Sequence, residues 1–116
     1  MLILAFISAQ ASDLGRLDPT GPLAVIRYHG IVTIILNESR LTPALYEDVI
    51  VVGVCAGIWR KQVPAHDLTS VSALQVLNKY HTRGYVLVEP AALCKRMGQA
   101  TGQRALLILL SDTLIY

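Results

Sequence analysis

Charge is scarce in this chain: Asp, Glu, Lys and Arg make up 16% of its 116 residues, where soluble domains carry about 25%. Apolar residues fill 53%. A surface this poor in charge is expected to hide apolar area against a second copy or another protein, so a homo-oligomer, with a dimer as the simplest form, is the first expectation. Long hydrophobic runs are missing as well. The longest covers positions 49–59, eleven consecutive apolar or glycine residues, whereas a bilayer-spanning helix needs about 20. No membrane role is expected.

Cysteine is nearly absent. Cys55 and Cys94 are the two present, and both fall in apolar periodic segments, which reads as two reduced, buried thiols and hence a reducing, cytoplasmic setting. A disulfide or reactive pair is the alternative. The first residues, MLILAFIS, precede a small-x-small triplet at 9–11. They lack a basic leader and have a very short apolar core, so a buried first strand is expected there in preference to a secretory signal.

Catalytic signatures are missing throughout. The chain has no G-x-S-x-G, Walker loop, G-x-G-x-x-G, H-E-x-x-H or C-x-x-C, so no catalytic residue and no cofactor is assigned, and the odds of an enzyme fall. Cys55 with His66 or His81 would be a thiolate–imidazole pair, but the valines and glycines around Cys55 favour an inert thiol. His29, His66, His81 and Asp67 match no closed metal-site spacing, so no metal ligand is assigned. The turn at 98–104, with Gly98, Gly102 and Arg104, offers amides to an anion. Read as a helix-to-strand turn, it has the wrong polarity for a phosphate loop, and Gly102 reads as a helix stop.

What is present organises around positions 42–62. Thr42 is placed to cap a helix, Pro43 suits its first position, Glu47 and Asp48 stand near its start, and Arg60 and Lys61 stand at its end. The β-branched run 49–52 argues for a strand instead, and both readings stay open. On a helix, Gly53 and Gly57 would share one side, which with Trp59 forms a candidate oligomer interface; close packing inside one subunit is the competing explanation.

Along the rest of the chain, 18–21 fits a β-turn. Positions 23–37 are β-rich, with His29-Gly30 as a hairpin loop pairing Tyr28 with Ile31 and Ile26 with Thr33, or else a bulge in one long strand. An amphipathic helix is expected over 67–81 and a strand over 85–89. A helix from Pro90 to about 100 would turn Leu93, Cys94 and Met97 inward, and an apolar central strand over 104–110 would precede a short last strand in 111–116. The sum is a single α+β (or α/β) domain over 1–116, a mixed sheet of about four or five strands with about three helices, in the order β-β-β-α-α-β-α-β.

Net charge is +2, too mild to imply a polyanion by itself. Positions 49–110 nevertheless hold seven cations against two anions. Lys79, Arg83, Lys95, Arg96 and Arg104, with Tyr80 and Tyr85 interleaved, form a candidate polyanion contact, in a winged-helix-like arrangement if 67–81 is helical. Cations that merely solvate outer faces are the plainer explanation. The functional expectation is therefore a non-catalytic interaction or regulatory module that self-associates through apolar surface. A nucleic-acid-binding regulator is the first alternative. The second is a small-molecule-binding domain or motif-free enzyme, which requires a pocket with convergent polar groups.

Overall fold

The computed structural model describes residues 22–61 and 66–116. The expected first strand at 1–8 and the turn at 18–21 lie outside the described residues. Five strands form one mixed sheet in the order β1-β2-β3-β4-β5: β1 (Ala24–Tyr28), β2 (Ile31–Ile35), β3 (Ala73–Leu77), β4 (Gly84–Val88) and β5 (Thr113–Ile115). All neighbours are antiparallel except β2 and β3. That parallel pair needs a crossover, supplied by a central helix over 43–59, here α1, and a short α2 (His66–Thr69). Two further helices, α3 (Pro90–Gly98) and α4 (Gln103–Ser111), link β4 to β5. The α+β class and the approximate element order expected from the sequence are both present.

Helices cover one face of the sheet. Val32 and Ile34, Leu74 and Val76, and Leu87 point into the core from β2, β3 and β4, against Tyr46, Ile50 and Val54 of α1, Leu93 of α3 and Leu109 of α4. The β1–β2 hairpin turns at His29 and Gly30, whose φ values of 49° and 81° are both positive, as a two-residue hairpin loop requires. Its register pairs Tyr28 with Ile31 and Ile26 with Thr33, as the sequence implies.

The 49–52 run is helical. Thr42 accepts a hydrogen bond from the Leu45 amide at 3.2 Å and Pro43 occupies the first turn. From Val49–Cys55 the α-helix widens into a π-helix, and the Ala56 amide reaches back five residues to the Val51 carbonyl. Consecutive β-branched side chains crowd the preceding turn of a tight helix, which gives a physical reason for the widening.

Two elements differ from the sequence expectation. Residues 67–81 are not one helix: α2 ends at Thr69, and Ala73–Leu77 is β3. Leu68, Val71, Leu74 and Leu77 are all buried, at helical spacing, yet Val76 is buried too, and Leu74 and Val76 alternate onto the core face of a strand. Ser70 and Ser72 stand between the two elements, and hydroxyls there compete for backbone partners. Residues 104–110 are not a central strand but part of α4. Their Arg, Ala and Leu residues are strong helix formers, and only Leu109 of α4 is fully buried while Leu107 and Leu110 face outward. Gly102, with φ +58°, therefore starts α4; α3 ends at Gly98–Gln99.

Tyr46 ties α1 to the last strand. Its hydroxyl lies 2.7 Å from Thr113 Oγ1, which donates onward to the Leu109 carbonyl, and its ring packs 4.5 Å from that of Tyr85. Burial pushes the Tyr46 phenol up from 10.0 to about 12, outweighing the opposing bond to Thr113. Because the folded value exceeds the unfolded one, the protonated phenol's contribution is intact below pH 10 and is lost as pH rises through about 12. Urea midpoints should accordingly fall across that window. Tyr46→Phe should flatten the decline while lowering stability at neutral pH by about 1 kcal/mol, the worth of one hydrogen bond.

Candidate functional site

Trp59 closes α1 and is fastened to α3. Its indole Nε1 donates to the Cys94 carbonyl at 2.8 Å, and the ring lies on Gly98, where an added Cβ would come within 2.8 Å of Nε1. One turn back along α1, Cys55 is bonded to Cys94 in a disulfide with a Cα–Cα distance of 5.3 Å. This corrects the expectation of two reduced thiols: the cysteines are buried, but α1 and α3 pack with their backbones close enough to bridge them. The bond also removes the Cys55–histidine nucleophile.

The fastened indole separates two apolar clefts. One, of about 620 Å³, runs along the face of α3 that carries Ala91, Ala92 and Lys95, with Ile58, Trp59 and Val71 opposite and Glu89 at its end. The other, of about 600 Å³, is lined by Val51, Met97, Ala105 and Leu106. Trp59 and Gly98 border both. Only the first has charged residues, Lys95 and Glu89, in its lining. Lys95 is adjacent to Cys94, the residue the indole bonds, whereas Glu89 precedes α3 with a left-handed backbone (φ 52°). Sequence reasoning singled out Trp59 and Lys95 separately and missed their convergence with Glu89, which depends on a contact between residues 35 apart in the chain.

The outer face of the sheet is the second feature. Alternation and register place Ile26, Tyr28, Ile31, Val88 and Leu114 there, each exposed, around a central Thr33 that donates to Gln75 Oε1 at 2.9 Å. At the far end Ile35, Leu77 and Gly84 share this face and are buried. Among the described strand residues, no charged side chain falls on this face.

Gly53 and Gly57, expected at an oligomer interface, are buried in the single chain, and Trp59 is 38% exposed. The basic residues fall into separate places. Arg83 lines a cleft with Arg40, Arg96 and Arg104 share another, and Lys95 belongs to the Trp59 cleft. Arg96 is ion-paired with Asp112, and Lys79 stands over the Tyr80 ring. Since 67–81 is not a helix, the winged-helix arrangement is absent. The 98–104 turn joins two helices, which corrects the helix-to-strand reading. Among the described residues, no three potential metal ligands cluster and no helix is long and apolar enough to cross a membrane. Asn78, which the sequence reading passed over, holds the β3–β4 loop. Its buried Oδ1 accepts from the Thr82 and Arg83 amides, and its Nδ2 donates to the Ser39 carbonyl.

Among the described residues, fold and surfaces together define a small α+β domain with a sheet face that is apolar and partly exposed, and a tryptophan-walled cleft. Compared with protein-family models, curated proteins and solved structures, the chain matches none.

Proposed function

We propose that this chain is a non-catalytic interaction module that forms a homodimer through the outer face of its sheet. The observation that carries this reading is the exposed row of Ile26, Tyr28, Ile31, Val88 and Leu114 with no charge among its strand neighbours. Its two polar residues, Thr33 and Gln75, bond each other, which lowers the cost of covering them.

Size sets the expected strength. Four strands of five residues and one of three, spaced about 4.8 Å with about 3.3 Å per residue, give a face of roughly 350 Å² in projection, already covered at its Ile35, Leu77 and Gly84 end. Two such faces, about 700 Å² in projection, fall below the usual size of stable specific interfaces, so the dimer is weak and transient. Light scattering on a size-exclusion column should show a concentration-dependent dimer that is insensitive to salt, because the face is uncharged. Ile31→Lys with Val88→Lys should hold the chain monomeric at every concentration. A wild-type chain that stays monomeric when concentrated, or a dimer indifferent to both lysines, sinks the proposal. A monomer that dimerises only after removal of residues 1–21 would assign the face to the chain's own first residues.

A second reading, small-molecule binding, is favoured by the Trp59 cleft, which has the size and apolar lining of ligand pockets and two charged groups at its wall. The cytoplasmic expectation rests on free thiols. The Cys55–Cys94 bond withdraws that support and favours an oxidising compartment.

A further inference from the structure

We propose that the cleft between Trp59 and α3 binds a planar aromatic carboxylate, with the ring against the indole and the carboxylate on Lys95. This names a ligand class for the small-molecule reading and is independent of the sheet-face dimer. Three observations select the class. First, the indole is locked: its N–H is spent on the Cys94 carbonyl, its ring rests on Gly98, and the Cys55–Cys94 bond clamps the two helices one turn away. A rigid aromatic wall that needs no ordering on binding favours a flat partner stacked on it. Second, the α3 wall is stripped of bulk, since Ala91 and Ala92 leave a slot of about 620 Å³ beside the ring. Such a volume takes a molecule of one to three fused rings.

Third, charge is placed asymmetrically. Lys95 lines the slot and falls between Cys94 and Gly98, the α3 residues the indole touches, which sets its backbone at the height of the ring, while Glu89 lies six positions earlier, about 9 Å along the helix axis. A ligand seated on the ring therefore meets the ammonium first, and an anionic group suits it. Glu89 then rejects a second negative charge at the far end, which restricts the class to monoanions.

Trp59 is the chain's single tryptophan, so its indole N–H gives one resolved amide-region NMR signal that reports on the two clefts it borders, and Ala92→Phe, which lines only this one, tells them apart. Titrating the full chain with naphthoate should shift that signal saturably, and calorimetry should give an affinity about tenfold tighter than for naphthylmethylammonium, as expected when one ion pair is exchanged for a repulsion. Uncharged naphthalene should fall between them. Lys95→Gln, a change at an exposed position, should erase the difference between anion and cation. Ala92→Phe, also exposed, should fill the slot and abolish binding of all three.

Equal affinities, or tightest binding by the cation, would overturn the carboxylate while leaving a ligand cleft in place. No shift of the indole signal by any of the three would overturn the cleft itself, as would binding that survives Ala92→Phe.

Discussion

A chain carrying Cys55→Ala and Cys94→Ala should unfold about 16 °C below the wild type. The bond joins residues 39 apart, and closing a loop of that length removes denatured-chain entropy worth about 4 kcal/mol at room temperature. For a chain of 116 residues, unfolding entropy converts each kcal/mol into about 4 °C. Calorimetric scans of the two forms make the comparison. A loss below about 5 °C would mean that the bond is not formed in the folded protein or that the denatured chain gains nothing from it. Both cysteines are fully buried, so a thiol reductant should lower the midpoint only as unfolding exposes the bond.

Gly84→Ala should be nearly as damaging, at about 3 kcal/mol or more. Gly84 starts β4 directly opposite Leu77 of β3. A Cβ there would overlap the Val76 carbonyl oxygen and come within 2.9 Å of the Leu77 Cα. Both obstacles are backbone, so relief requires the strands to part. Gly98→Ala provides the contrast, because the added methyl meets only the Trp59 indole, whose displacement strains its bond to the Cys94 carbonyl but moves no backbone, and the expected loss is about 1–2 kcal/mol. Denaturant midpoints for the two variants test the ordering. If Gly84→Ala cost no more than Gly98→Ala, the β3–β4 register would be wrong.

Local chemistry was legible in the sequence wherever it sufficed to decide the outcome. The hairpin at His29-Gly30 is one of two readings of its segment, favoured because its two residues tolerate the positive φ that the turn demands, and Thr42-Pro43 and Pro90 mark the starts of α1 and α3, although the β-branched run 49–52 leaves helix and strand both open within α1. Segments 73–77 and 104–110 could not be read in this way. In Ala-Leu-Gln-Val-Leu the apolar residues satisfy both a period of two and one of 3.6, and only the edge of β2 decides between them. In Arg-Ala-Leu-Leu-Ile-Leu-Leu the pattern is apolar throughout, so it suggested burial on both sides, although three of its leucines remain exposed on α4. The candidate cleft was legible only as isolated residues. Its convergence comes from the packing of α1 on α3, which no spacing within either helix encodes, and the same packing joins the two cysteines.

That cross-link has a consequence for how the chain breaks. Everything from the end of α1 through α2, the β3–β4 hairpin and the first half of α3 lies inside one covalent loop. A protease that cuts once within it, at the 78–83 turn for example, leaves a nicked molecule whose halves stay joined and whose mass, apart from one added water, is unchanged. A single cut before Cys55 or after Cys94 instead releases a fragment. Reducing and non-reducing gels of the same digest would therefore tell loop cuts from tail cuts without sequencing either piece.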